Sequence, residues 1–411
     1  VQTITLELMN TEFSCAAHPR IFLRVAQGAI LLAALLISLS TVHAIILFRT
    51  ADPEANTTAP TNDPAASGWN LEGEFGSFLG TPIAPHFFLS AAHIGQAGGN
   101  FVFGGVTYTL GANFYDPYSD LNIWQVSETF PAFAPLYTKN NEKGLRLVAI
   151  GRGTQRGGEI LLNNELRGWA WGTYDARQRW GENLVADIVT FTSGPDDAIY
   201  ATFDQNGLPD ECHFSVGDSG GAIFILDGSV WKLAGINYAV DGPLYTDSSG
   251  AGEFTAALFE SRGFYYSDGA NPPNYVQITT PTPTGLYATR ISSKLAWIYS
   301  VIDPTGDANG DGISNLLDYA RALNAPLPQG YGSPLLGQEG SSLSLTYRKI
   351  TNASGLQYQV EQSSDLVSWS PATSQDAVVE TRGNIQVIKA AVPMGNGPAL
   401  FLRLKISQPQ P

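Results

Sequence analysis

The chain has 411 residues, of which 44% are hydrophobic and only 14% charged, and it carries a net charge of −15. This composition excludes a disordered chain, and the length allows two or three domains. The negative balance excludes nucleic acid as a partner held by phosphate contacts and excludes attachment to an anionic membrane by charge.

In chain order, residues 1–44 come first. Arg20 and Arg24 precede an apolar run over 29–40, and Thr41, Val42, His43 and Ala44 close it with a small-x-small pattern. The run is too short for a comfortable bilayer span and has the layout of a cleaved secretory signal. The expected location is secreted, extracellular or periplasmic, with no stable membrane span after cleavage. Cleavage removes Cys15 and leaves only Cys212, so the exported chain makes no internal disulfide. Residues 45–68 read as an N-terminal connector, polar and rich in Pro, Ala and Thr from 51 onward. Over 69–302 short apolar segments alternate with Gly, Asn and Asp turns, which predicts many strands. Ile291, Leu295, Ile298 and Ile302 then fall on one face of a helix. Residues 303–330 hold an acidic loop, a short helical stretch and a Pro/Gly-rich end. Strand patterns return over 331–411 and predict a small β-sandwich.

Hydrolysis of an amide by a serine needs a base for the hydroxyl proton and donors for the oxyanion. With His18 and His43 gone, the candidate bases are His86, His93 and His213. His93 follows an apolar strand and the small residues Ser90, Ala91 and Ala92, which let the chain turn tightly. Asp120 opens the alternating segment 120–126, where a carboxylate at a strand mouth can hold an imidazole. Asp116, four residues earlier, competes for that role. Ser219 lies in Gly217-Asp218-Ser219-Gly220-Gly221. The glycines permit positive φ and close approach of a substrate. The N–H groups of Gly217 and Ser219 can then point at one oxyanion.

These segments resemble the chymotrypsin/trypsin family of serine endopeptidases. Gly80 to His93 is similar to the family's approach to its catalytic histidine. Gly217 to Gly221 matches its nucleophile motif. The order His, Asp, Ser is the family's own. Residues 285–298 resemble its final strand and C-terminal helix, and Gly151-Arg152-Gly153 sits where the family often has Gly-Trp-Gly. The resemblance spans 69–302. It implies protein or peptide substrates, His93 as base, Asp120 as orienter, Ser219 as nucleophile and no cofactor for catalysis. It also sets the specificity pocket at His213, Phe214, Val240 and Gly285. His213 stands where trypsin-like specificity wants an aspartate, and it favours a restricted or acidic-leaning preference. The family further implies an activation pair, with Ile45 exposed by signal cleavage and folding inward onto Asp218. A preformed oxyanion hole with a free N-terminus is the alternative. Departures are Ile94 after His93, the unpartnered Cys212, and an insertion from Asp241 to Thr284 that either shapes the cleft or decorates the surface.

Asp307, Asn309, Asp311, the Ile313 carbonyl, Asn315 and Asp318 occupy the oxygen positions of an EF-hand loop, with Gly312 at its sharp turn. Aspartate at the last position makes the loop resemble a single dockerin repeat, and structural Ca²⁺ is expected there. The last segment resembles C-terminal modules of exported bacterial enzymes. Its Tyr358, Val360 and Trp369 read as core or strand residues rather than as a glycan platform, and its ligand is open. The expected fold is mainly β: a chymotrypsin-type double β-barrel with a C-terminal helix, then the calcium loop and the β-sandwich. The rival reading is a catalytically inactive, protease-like binding or adhesion protein.

Overall fold

The computed structural model describes residues 6–8 and 45–407, apart from 62, 96–98, 192–196, 323–332, 352–355 and 396–398. The signal segment, except for the strand Leu6–Leu8, and the Pro/Gly-rich end of the 303–330 linker lie outside the described residues.

Two antiparallel sheets dominate. The first has seven strands, ordered Val106–Tyr108, Phe101–Phe103, Gly73–Phe75, Phe78–Ala84, Phe87–Ala91, Leu121–Val126 and Leu110–Tyr115. The second runs from Arg179–Leu184 through Arg146–Gly151, Ala222–Asp227, Val230–Asp241, Gly285–Arg290 and Asp197–Thr202 to Asp187–Thr190, with Leu6–Leu8 on the edge of Val230–Asp241. Several of their strands are buried at nearly every position, as in Phe78–Ala84 and Gly285–Arg290. Such strands face a core on one side and neighbouring chain on the other, so strict alternation of apolar and polar residues is lost.

Each sheet curls around its own core. Phe75, Phe88, Phe101 and Trp124 fill the first, with the Phe88 and Phe101 rings stacked at 3.8 Å. Leu147, Ile199, Ile223, Ile225 and Leu286 fill the second. The first core extends across to Ile150, Phe224, Leu233 and Ile236 of the second sheet, which glues the two halves together. The helix Leu295–Ile302 follows the last strand and buries Trp297, Ile298 and Val301 in the first core. This is the chymotrypsin-type double β-barrel with its C-terminal helix.

The helix Asn315–Ala320 packs beside that C-terminal helix, with Tyr319 against the first core. Beyond it two smaller sheets, built from Leu335–Glu339 to Phe401–Ser407, enclose Leu345, Tyr347, Val360, Ile388 and Val392. Val360 is therefore core, as expected. Trp369 instead stacks under the Arg403 guanidinium at 4.2 Å. Among the described residues no helix is long and apolar enough to cross a membrane.

Candidate active site

Strand register brings the first two residues of the site together. Ala91 pairs with Leu121, so His93 and Asp120 leave the same end of adjacent strands. The Ala92 N–H donates to the Asp120 carbonyl at 3.0 Å, and the His93 N–H donates to Asp120 Oδ1 at 2.8 Å. His93 Nδ1 stands 2.6 Å from Asp120 Oδ2, and its Nε2 stands 2.9 Å from Ser219 Oγ. One carboxylate thus holds both the backbone and the ring of His93. Asp116 does not compete. It is buried in its own turn, where it accepts from the Ser119 hydroxyl and lies 3.7 Å from Lys294 Nζ.

Ser219 sits in a turn held from three sides. Gly217 has φ 93° and Gly220 φ 77°, both in the left-handed region. A Cβ on Gly220 would come within 2.4 Å of Ser90 Oγ and 2.5 Å of the Leu79 carbonyl. Asp218, between Gly217 and Ser219, points inward. Its carboxylate accepts from the N–H groups of Gly153 and Ser215 at 2.7 Å each and from the Ser215 hydroxyl at 2.9 Å. Burial pushes Asp218 up to about 6, against the pull of these donors. Gly151 is glycine because a Cβ there would lie 2.1 Å from Asp218 Oδ1.

Ile45 lies in this same nest. It is buried, its N–H donates to the Asp218 carboxylate, and its φ is 51°. Ile46 and Leu47 pair with His213 and Cys212, so the start of the connector is a short inner strand.

Two residues outside the sequence-based set join the site. Asn237 donates from Nδ2 to the carbonyls of Ile150 and Asp218, and its own carbonyl accepts from the Gly220 N–H at 3.2 Å. It staples the nucleophile turn to the barrel. As a lone amide in the apolar strand Val230–Asp241 it was visible in the sequence as an anomaly. Tyr238 presents its ring edge to the His93 ring at 6.0 Å. Burial, with a smaller effect from Asp120, pushes its phenol up to about 12.

The four pocket residues come together, but as packed core. His213 is fully buried. Its Nδ1 donates to the Phe214 carbonyl at 2.7 Å, and its Nε2 lies 3.3 Å from the Thr284 hydroxyl. Burial lowers it to about 4, so at neutral pH it is uncharged and has no charge to offer an acidic side chain. Phe214 and Val240 are also fully buried. The Tyr200 ring fills the space beside Gly285, where a Cβ would lie 2.0 Å from it. The acidic-leaning preference read from His213 loses its physical basis for these reasons. The insertion after Val240 instead carries a cavity at Asp241, the residue next along the strand.

In the acidic loop the Asp307 carboxylate accepts from the N–H groups of Gly310, Asp311 and Gly312. Gly310 and Gly312 have φ 75° and 83°. Asn315 is committed elsewhere: its Oδ1 accepts from the Ala308 N–H and its Nδ2 donates to the Asp303 carbonyl. Among the described residues no three His, Cys, Asp or Glu side chains converge on one point. Asp318 Oδ1 is nevertheless buried with no hydrogen-bond partner. Burial raises its pKa most, and Asp311 and Asp307 raise it further. An orphaned carboxylate oxygen among like charges fits a hard cation with oxygen ligands.

The fold and the Ser–His–Asp geometry define a chymotrypsin-type scaffold with a complete hydrogen-bonded relay. No known protein-family model matches the chain, and no curated protein sequence matches it. Solved structures do. An inactive serine-to-alanine mutant of Rv3671c from M. tuberculosis is 15% identical, with 61% of this chain and 99% of that one covered at a TM-score of 0.34. Human heparin binding protein is 15% identical, with 60% and 96% covered at 0.34. Neuropsin, a serine protease expressed in the limbic system of mouse brain, is 14% identical, with 58% and 96% covered at 0.34.

Proposed function

We propose that the protein is a secreted serine endopeptidase that cleaves peptide bonds through an acyl-enzyme on Ser219. The observation that carries this reading is His93, bonded through one ring nitrogen to Asp120 and through the other to Ser219 Oγ. Asp120 keeps a proton on Nδ1 and leaves Nε2 free to accept the hydroxyl proton. Ser219 Oγ attacks the carbonyl carbon. The tetrahedral oxyanion forms beside the N–H groups of Gly217 and Ser219, and His93 returns the proton to the leaving amine. Water then repeats the sequence on the ester. The test is steady-state cleavage of a peptide pool by the wild type and by Ser219→Ala. Loss of turnover by about 10⁴-fold or more supports the reading, whereas undiminished turnover refutes it.

Activation in this account follows from export. The Ile45 N–H already reaches Asp218, and a β-branched residue at φ 51° is strained by about 1–3 kcal/mol. Cutting before Ile45 releases that dihedral and turns the amide into an ammonium beside a buried carboxylate. Calcium is the proposed structural ion of the acidic loop. Asp307, Asn309, Asp311, Ile313 and Asp318 would hold it, with Asn315 kept as a loop staple. Its work there is to neutralise the carboxylates at the junction; it takes no part in the chemistry.

A further inference from the structure

The relay is drawn from both barrels. His93 and Asp120 lie at the ends of Phe87–Ala91 and Leu121–Val126 in the first sheet, while Ser219 precedes Ala222–Asp227 in the second. The 2.9 Å step from His93 Nε2 to Ser219 Oγ therefore crosses the joint between the two sheets. Asp120 holds the imidazole from its own sheet, through Nδ1 and the backbone. A ring bonded at one nitrogen can still turn about χ1 and χ2 and carry Nε2 away from the serine. Misplacement of a reacting group by about 1 Å costs about 10²-fold in rate. The step across the joint needs a second point of support.

The strand Val230–Asp241 of the second sheet reaches both ends of that step. Its pairing with Gly285–Arg290 slips between Asn237 and Ala239, which oppose the consecutive residues Ala288 and Tyr287. Tyr238 is the extra residue of this β-bulge, and bulges re-aim the side chains they carry. Asn237 serves the nucleophile turn: its Nδ2 donates to the Asp218 carbonyl, and its backbone carbonyl accepts from the Gly220 N–H. Tyr238 serves the base. Its ring lies across the His93 ring at 6.0 Å between centroids and 71° between planes. One dipeptide of the second barrel thus contacts both the turn that carries Ser219 and the imidazole that faces it.

The tyrosine is itself held firmly. It is 8% exposed and packs with Ala198, Ala239 and Tyr287. Phe191 meets its ring at 6.5 Å. Burial first, and Asp120 second, keep its phenol neutral. Tyr238 therefore offers His93 a stiff, uncharged surface, and an edge-on ring pair adds attraction beyond the area it buries.

We propose that Tyr238 is a positioning residue, its ring holding the His93 imidazole toward Ser219 from the second barrel; what the relay then cleaves rests on the endopeptidase reading. The test compares Tyr238→Phe, which keeps the ring, with Tyr238→Leu, which keeps apolar bulk without one. Tyr238→Met repeats the comparison if the leucine variant does not fold. All chains are read well below their melting midpoints. The first readout is the rate of fluorophosphonate labelling at Ser219, which needs no peptide. Loss of the ring is expected to slow it about tenfold or more, and the phenylalanine variant to label like the wild type. The second is the proton resonance of the His93 Nδ1–H bonded to Asp120, expected to stay sharp in Tyr238→Phe and to broaden in Tyr238→Leu. The third is peptide cleavage, where kcat should fall with the labelling rate while KM holds. Labelling and resonance indifferent to Tyr238→Leu, in a chain that cleaves peptides, overturn the positioning role and leave the endopeptidase reading standing. Equal losses in Tyr238→Phe also overturn it, because the ring is then not what acts. Ring-dependent labelling in a chain that cleaves no peptide supports the positioning role and overturns the endopeptidase reading instead.

Discussion

A carboxylate bonded to Nδ1 decides which nitrogen of His93 faces Ser219. Asp120→Asn keeps the shape but offers an N–H where an acceptor is needed, which favours the wrong tautomer. The expected result is a fall in kcat of about 10⁴-fold with little change in melting temperature, measured on any peptide the wild type cleaves. His213 makes a second prediction, about pH. Its folded value, about 4, lies below its ordinary 6.5, so the unfolded chain binds the proton more readily. Its contribution to stability is complete above about pH 6.5 and is lost as pH falls toward 4, amounting to about 2 kcal/mol between pH 7 and pH 5. Urea midpoints at those two values should differ less in His213→Gln than in the wild type. The contrast between these two histidines shows what residue types reveal. His93 and Ser219 were legible because small residues and glycines mark places where the chain must turn and be approached. His213 was misread because counting back from Ser219 gives its place in the motif but not its burial. Its packing against Thr284 depends on a contact 71 residues away.

At the scale of elements, strand register did what local pattern could not. Asp116 and Asp120 both looked able to serve, and the pairing of Ala91 with Leu121 selects Asp120. The polar stretch 51–68 was read as an extended connector, and the apolar residues just before it form an inner strand against Cys212–His213. The inward turn of Ile45 was implied by the family resemblance, whereas the pairing of Ile46 and Leu47 depends on a strand more than 160 residues away. Asp218 supplies the prediction at this scale. With an amide at Ile45, its folded value of about 6 exceeds its ordinary 3.8. The folded chain then holds the proton more tightly, so the contribution of Asp218 to stability is full below about pH 4 and is lost as pH rises through 6. A chain beginning at Ile45 places an ammonium there and should lose that fall. Unfolding midpoints between pH 4 and pH 7 for chains with and without one added residue check this. Activity should be lower in the extended chain.

For the whole molecule, the acidic loop and its helix are the joint. Tyr319 packs on the first barrel's core, while the Tyr358 hydroxyl of the last module donates to the Ala320 carbonyl at 2.7 Å. The oxygen spacing of the loop was legible in the sequence. Its place between the C-terminal helix and the last module was not, because that depends on which helix faces find partners. Calcium at about a hundredfold excess over its dissociation constant should stabilise the chain by about 2.7 kcal/mol. Calorimetry with calcium and with a chelator measures this, and Asp318→Asn should abolish most of the difference. The insertion was the least legible part. Three of its short strands pair with one another and a fourth, Ala256–Leu258, pairs with Glu165–Tyr174, and the cavity at Asp241 exists only once they have done so. The central claim is that the relay of Asp120, His93 and Ser219 activates one serine. Its most direct test is a fluorophosphonate probe on the chain beginning at Ile45, followed by mass mapping of the adduct. A single adduct on Ser219, lost in His93→Ala, is predicted; an adduct on another serine, or none, contradicts the account.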